Sequence, residues 1–419
     1  MTEFLPLRGL KYNLQKFDSL DELICPPFDL ISPELKQALE RKNQHNAVWL
    51  EGTAQVNDHG NNKYIDSRNT FNKWLDDAVI IRDETPLYYL INYNYDLHGN
   101  NSSVAGIIGM LRVEDPSTNN IIGHENTYLP IVEDRIQLLK TTGVQFSPIL
   151  AAFKDSSHSV KNIITRTLQH PPKSQVHITA TDFIDIWEIS NDEDIKTIKE
   201  TLGNSKVFIA DGHHRYEAAL GIQNSDTSTF ESQHIMAALI DINDPGLQIL
   251  PYHRIIENVS AEFTEAMHAR LSDLCINSSE INIQKMSKQE ILTLISKTTR
   301  QTHTICTVTP NCDNLHIFNI DIKEPPESWG LLAQSDAWVL QSQVIDPSME
   351  ECAQYEIRYT HDLADALDSS GALGIFLGSF PKNSFEQVAL SKTNMPPKST
   401  FFYPKIPTGL VFHPIYLGT

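Results

Sequence analysis

Lys206-Val207-Phe208-Ile209-Ala210-Asp211-Gly212-His213-His214-Arg215-Tyr216 runs from an apolar segment straight into a polar, charged break. Lys206 to Ala210 reads as a short buried strand, Asp211-Gly212 ends it, and His213 to Gln223 has the composition of a helix. A strand that breaks into a helix in this way aims the free N–H groups of the first helical turn at one point. Those donors and the helix dipole make an anion site. Gly212 lets the backbone approach a ligand closely, because it carries no Cβ. Asp211 is placed to cap the helix or to orient a histidine, and Arg215 offers a planar fork suited to phosphate. His213 and His214 supply protons or hydrogen bonds near neutral pH. The competing reading is a solvated helix start with Arg215 paired to Glu217. A metal held by both histidines is disfavoured, since neighbouring helical positions point roughly 100° apart.

On either side of this motif the chain reads as mixed α/β. Ser32-Pro33 places a cap and a first-turn proline before a helix through about Lys42, and a second helix covers Tyr64 to Ala78. Strand-like runs occupy Pro86 to Tyr93 and Ser103 to Val113, with a hairpin turn across Asp96 to Asn101. Further helices are expected at Val132 to Thr141, Asp192 to Leu202, Ala261 to Leu274 and Lys288 to Thr298, and a strand at Ser147 to Phe153. The organisation expected is a catalytic region over 1–258 and a C-terminal α/β region over 259–419. The 395–409 segment of the latter is a candidate to return to the active site.

The charge balance narrows the function classes. Thirty-three Lys and Arg against 53 Asp and Glu give a formal charge of −20. Such a surface repels the phosphate backbone of nucleic acid and anionic membranes, so neither is an expected partner. A small anion could bind only where basic groups cluster. The five cysteines, Cys25, Cys275, Cys306, Cys312 and Cys352, form no C-x-x-C pair, which points to a reducing compartment. No signal pattern opens the chain and no apolar run is long enough to span a bilayer, so a soluble cytoplasmic protein is expected.

Other candidates are individually weaker. His124-Glu125 follows an apolar run and reads either as a polar pair facing a cleft or as a surface turn. Glu133-Asp134-Arg135 on its own reads most simply as a solvated face. Asp29 after Pro26-Pro27 is a cap or a catalytic carboxylate. Lys398 and Lys405, set among prolines and aromatics, suggest ligand contacts, as does His253-Arg254 after Pro251.

The run Ile209 to Leu220 resembles the signature of the domain of unknown function family 1015. The resemblance extends over nearly the whole chain through Cys25-Pro-Pro-Phe-Asp-Leu-Ile-Ser32, Asn46-Ala-Val48, His124-Glu125-Asn-Thr127, Glu133-Asp134-Arg135, Ser147-Pro148, Pro251-Tyr-His253-Arg254 and Met395 to Leu410. The central block is also similar to the Gly-x-x-Arg element of the ParB and sulfiredoxin superfamily, which cradles nucleotide phosphates and within which free serine kinases carry an Asp-Gly-His-His-Arg motif. The resemblance implies a ParB/sulfiredoxin-like core and a kinase that phosphorylates free L-serine to O-phospho-L-serine. Pyrophosphate or a nucleotide is the donor, Mg²⁺ is expected, and no organic cofactor is called for. It assigns Asp211, Gly212, His213, His214 and Arg215 to the phosphoryl group, and Lys398 and Lys405 are read from their own setting as further phosphate contacts. His124, Thr127, Arg135, Tyr216, His253 and Arg254 become substrate contacts. The base is a choice among Glu125, Asp29 and Asp134 in falling order, with His213 and His214 as catalytic candidates beside them. Phe28 stands where the family more often has Tyr, and Ala218 where it has Thr. A ParB-like CTP switch and a non-catalytic sensor of phosphorylated metabolites are the alternatives. A sulfiredoxin-like reductase would need a cysteine where His213 and His214 stand.

Overall fold

In a computed structural model of the protein the described residues are 2–52, 62–97, 99–223, 229–300, 303–309, 314–320, 327–368, 371–391, 394–396 and 398–416. Cys312 and part of the expected 96–101 turn lie outside them. The architecture is mixed α/β, in two compact units. One comprises Met1–Gly123, Thr127–Gln248 and Pro404–Thr419, the other His124–Asn126 and Ile249–Tyr403.

The first unit is organised on a nine-stranded sheet. Its strands in chain order are β1 (Phe4–Leu5), β2 (Tyr88–Leu97), β3 (Asn100–Arg112), β4 (Ile121–Ile122), β5 (Ile149–Phe153), β6 (Ser174–His177), β7 (Phe183–Ile189), β8 (Val207–Asp211) and β9 (His234–Asp241). They lie in the order β4-β8-β5-β9-β3-β2-β7-β6, with β1 paired to β3. β2 and β3 form the expected hairpin, Leu97 facing Asn100. β5 and β9 are buried along nearly their whole length, which explains why they read as unbroken apolar runs and not as alternating ones.

Among the helices, α1 (Pro33–Lys42) begins where Ser32 accepts a hydrogen bond from the Leu35 N–H, with Pro33 in the first turn. α2 covers Asn62–Asp76. α3 (Leu129–Thr142) starts three residues before the expected Val132, because Pro130 is accommodated in the first turn, and it stops at Gly143 in the left-handed region. α4 (Ser159–Thr167) and α5 (Asp192–Gly203) follow, then α6 (His213–Gln223), which occupies the expected span. The core of this unit joins Val207 and Ile209 of β8 to Tyr216 and Ala219 of α6 and to Ile149 and Ala151 of β5.

The second unit holds a six-stranded sheet. Its strands are β10 (His253–Glu257), β11 (Cys275–Asn282), β12 (Thr304–Val308), β13 (Asn314–Ile320), β14 (Ile357–Thr360) and β15 (Ala372–Phe376), in the order β11-β13-β12-β15-β10-β14. α7 (Ala261–Leu274) and α8 (Lys288–Thr299) belong to it, and α8 opens with a reciprocal cap between Ser287 and Glu290. The division differs from 1–258 and 259–419 at both ends of this unit. β10 pairs with β14 and β15, which draws His253–Glu257 into the second sheet. Residues from Pro404 onward fall in the first unit, where His413–Pro414 pair with Val144–Gln145 and Thr408 bridges Cys25.

Candidate active site

In the first unit the candidate site grows from the junction of β8 and α6. The register of β8 against β5 slips between Ile209 and Asp211, an irregularity of the kind that re-aims a side chain. Asp211 is the last residue of β8, and Gly212 follows at φ +94°, a conformation that favours glycine. A Cβ on Gly212 would come within 2.7 Å of Ile149 Cγ2 and 3.0 Å of Arg215 Nη2. The Gly212 carbonyl accepts the Tyr216 N–H at 2.9 Å, so α6 winds directly off the glycine.

The Asp211 carboxylate meets two cations. Oδ2 accepts from Arg215 Nη2 at 2.7 Å, and Oδ1 pairs with the Lys405 ammonium. Burial opposes the charge on Asp211, but Lys405 and Arg215, followed by His213, outweigh it and hold the carboxyl well below its usual range. Two cations around one carboxylate leave the cluster with surplus positive charge. Arg215 Nη1 donates to Ser147 Oγ at 3.0 Å and to the Pro148 carbonyl at 2.6 Å, while Nε is buried with no partner among the described residues. The anticipated pairing of Arg215 with Glu217 is not formed, because Glu217 accepts from the Thr127 hydroxyl at 2.6 Å. The guanidinium is therefore fixed by protein acceptors on both terminal nitrogens, and its role as an open phosphate fork is narrowed accordingly.

The histidines are packed as well. The His213 ring lies against Gly123, where an added Cβ would stand 3.3 Å from Cδ2. His214 Nε2 accepts the Tyr128 N–H at 3.0 Å. Tyr216, expected as a substrate contact, is 5% exposed, and its hydroxyl donates to the Glu114 carbonyl and accepts the Glu114 N–H. That hydroxyl holds a loop to the core.

Glu133-Asp134-Arg135 departs from the solvated face expected of it. Arg135 is 5% exposed because α3 turns it inward, where it donates to the Glu51 carboxylate at 3.4 Å and stacks over Phe28 at 4.2 Å. Asp134 is gripped by Arg135, by Lys63 at 2.5 Å and by the Tyr64 hydroxyl at 2.7 Å. Partial burial works against the Asp134 charge, but these partners outweigh it and lower its pKa. Asp29 lies exposed in the single turn Phe28–Leu30. Glu51 was not singled out from sequence. It is 2% exposed and accepts from Thr408 Oγ1 at 2.5 Å, and its one legible signal is a carboxylate closing the apolar run Ala47-Val-Trp-Leu50. With Arg135, Gln145, Ser147 and Arg215 it lines a cavity.

The second unit carries its own polar cluster. His124 is fully buried, which overturns the surface-turn reading. Its Nε2 meets Thr400 Oγ1 at 2.8 Å. Glu125 Oε1 accepts from the Ser399 N–H, the Thr400 N–H and Thr400 Oγ1 at 3.1–3.2 Å. His253 Nδ1 accepts the Leu377 N–H at 3.3 Å, and burial, then Arg254 and His361, push its pKa down to about 3. Burial lowers Arg254 to about 10, so it stays charged at neutral pH. Lys398, at φ +60°, stands over the Tyr252 ring at 5.2 Å.

Among the described residues no group of His, Cys, Asp or Glu could hold a metal ion, and no helix is long and apolar enough to cross a membrane. Cys25, Cys275, Cys306 and Cys352 are free thiols.

Comparison with solved structures finds a free serine kinase variant in complex with ADP, at TM-score 0.38 and 12% identity over 73% of this chain and 92% of that one. It also finds a conserved hypothetical protein from Pyrococcus furiosus, at TM-score 0.36 and 13% identity over 73% and 95%. A third is SbnI with C-terminal truncation from Staphylococcus aureus, at TM-score 0.37 and 10% identity over 71% and 84%. No curated protein matches. The family model for Protein of unknown function (DUF1015) matches residues 4–334, and the chain belongs to that family.

Proposed function

We propose that this protein is a phosphotransferase that moves a phosphoryl group onto the hydroxyl of free L-serine, with pyrophosphate or a nucleotide as donor. The observation that carries the reading is the cationic cluster at the start of α6, where Arg215 and Lys405 converge on Asp211 beside Gly212, His213 and His214. Surplus positive charge beside first-turn N–H groups suits the oxygens of a transferring phosphoryl group. In the reaction the bridging P–O bond of the donor breaks, the serine Oγ–P bond forms, and the hydroxyl proton leaves to a carboxylate. Glu125 stands first among the candidates for that base, Asp29 second and Asp134 third. Asp134 ranks last because a carboxylate already committed to Arg135, Lys63 and Tyr64 is a weak proton acceptor.

Arg215 acts here as a positioning residue, holding Asp211 and the Ser147-Pro148 turn in place. Thr127 and Arg135 are carried as substrate-side residues. Mg²⁺ would neutralise the charge of a pyrophosphate or nucleotide donor.

The experiment is direct. Purified protein is incubated with L-serine, Mg²⁺ and pyrophosphate, and O-phosphoserine is followed by phosphorus NMR, with Arg215→Ala as the inactive control. If a donor panel of pyrophosphate, ADP, ATP and CTP gives no phosphoserine, the kinase reading fails and a binding role replaces it.

A further inference from the structure

Arg254 lies on β10 of the second unit with no solvent exposure, on the same strand face as Ile256, whose neighbours include Leu373 and Ile375. A guanidinium in such a place is held by hydrogen bonds or leaves its donors at a cost. Here only Nη1 is engaged, donating to the Tyr252 carbonyl, while Nε and Nη2 are buried with no hydrogen-bond partner among the described residues.

Which two donors remain is the informative point. The Nε–H and the adjacent Nη2–H form the side-on edge of the guanidinium, two parallel donors spaced to meet the two oxygens of one carboxylate. The Tyr252 carbonyl on the third nitrogen and the Tyr359 ring, 5.5 Å from the guanidinium carbon, fix the orientation of that edge. No ion pair joins Arg254 to a carboxylate among the described residues, and Glu125 acts on it only through its field.

We infer that the second unit holds a receptor for the α-carboxylate of a small amino acid, which would take both donors of the Nε–Nη2 edge of Arg254. The identity of the ligand as L-serine rests on the proposed kinase reading, whereas the receptor itself rests on the geometry around Arg254.

The test uses the full chain and calorimetric titration with L-serine and with L-serinamide, which keeps the ammonium and hydroxyl but loses the carboxylate. Serinamide is expected to bind roughly tenfold more weakly or worse. Arg254→Gln is expected to bind L-serine that much more weakly and to lose the discrimination. Arg254→Lys, which keeps the charge and loses the edge, should lose it too. Thermal melting verifies that each variant is folded, and the blocked ligand tests the wild-type protein with no substitution at all. Equal affinity for serine and serinamide, discrimination retained in a folded Arg254→Gln, or no binding of any amino acid in a panel of glycine, L-serine and L-aspartate overturns the receptor. If no donor yields phosphoserine while the panel binds in an Arg254-dependent way, the kinase reading falls and the receptor stands. Should serinamide be phosphorylated with an unchanged KM, the receptor falls and the kinase stands.

Discussion

Lys405 and Asp211 are 194 positions apart in the chain, and the ammonium of one closes on Oδ1 of the other. Both side chains are about nine-tenths buried, so neither charge has solvent as an alternative partner. The pair fixes the C-terminal segment of the first unit to the junction of β8 and α6, and Arg215 completes the arrangement from the other side of the carboxylate.

Lys405→Met should therefore act on stability and on anion binding together. Removing one partner of a buried ion pair costs on the order of 3 kcal/mol. Denaturant unfolding is expected to show that loss, and titration with pyrophosphate at least a tenfold weaker Kd. An unchanged midpoint and an unchanged Kd would show that the ammonium contributes to neither.

Gly212→Ala places a Cβ 2.7 Å from Ile149 Cγ2 at a positive φ. The strain is about 1–3 kcal/mol, and Ile149 belongs to a fully buried strand with no room to give. The melting temperature is expected to fall by several degrees, with pyrophosphate binding lost along with it. A variant as stable as the wild type would mean that β5 yields at this point.

His253 gives a pH signature. Burial holds its folded pKa near 3, below the roughly 6.5 of an unfolded chain. The group is therefore neutral in both states above about pH 6.5 and picks up a proton only on unfolding between there and about pH 3. Its contribution to stability is complete above that window and declines by about 1.4 kcal/mol per pH unit on acidification within it. His253→Gln is expected to flatten the stability–pH profile over pH 6.5 to 4 by close to one proton. His413 and His268, pushed to about 4 chiefly by burial, keep a residual slope in the variant.

The three base candidates separate by which quantity each substitution moves. Glu125→Gln is expected to lower kcat for phosphoserine formation by about 10²–10⁴-fold. Asp134→Asn should chiefly lower stability, since it breaks contacts to Arg135, Lys63 and Tyr64. Asp29→Asn, on an exposed turn, is measured for kcat and melting temperature together, and a fall in kcat at unchanged stability reads as chemistry. A wild-type kcat in Glu125→Gln with a loss in Asp29→Asn would reverse the order.

Local signals in the sequence were legible where backbone rules act over a few residues. α6 and α7 begin and end where composition placed them, and Ser32-Pro33 caps α1. What escaped was set by contacts distant in sequence. The partner of Arg215 is Asp211 and not Glu217, because Thr127 claims Glu217 from 90 positions away. Arg135 resembled a solvated helical charge until Glu51, 84 positions earlier, took it inward. His253–Glu257 fell on the wrong side of the expected boundary because strand pairing with residues 357–376 decides its allegiance. Periodicity carries no information about such partners.

The late position of Lys405 bears on how the protein comes into being. During synthesis β8 and α6 leave the ribosome almost two hundred residues before Lys405, so in the nascent first unit Arg215 alone balances Asp211 and the surplus positive charge is not yet in place. A chain halted before that lysine would lack the second cation of the proposed anion site.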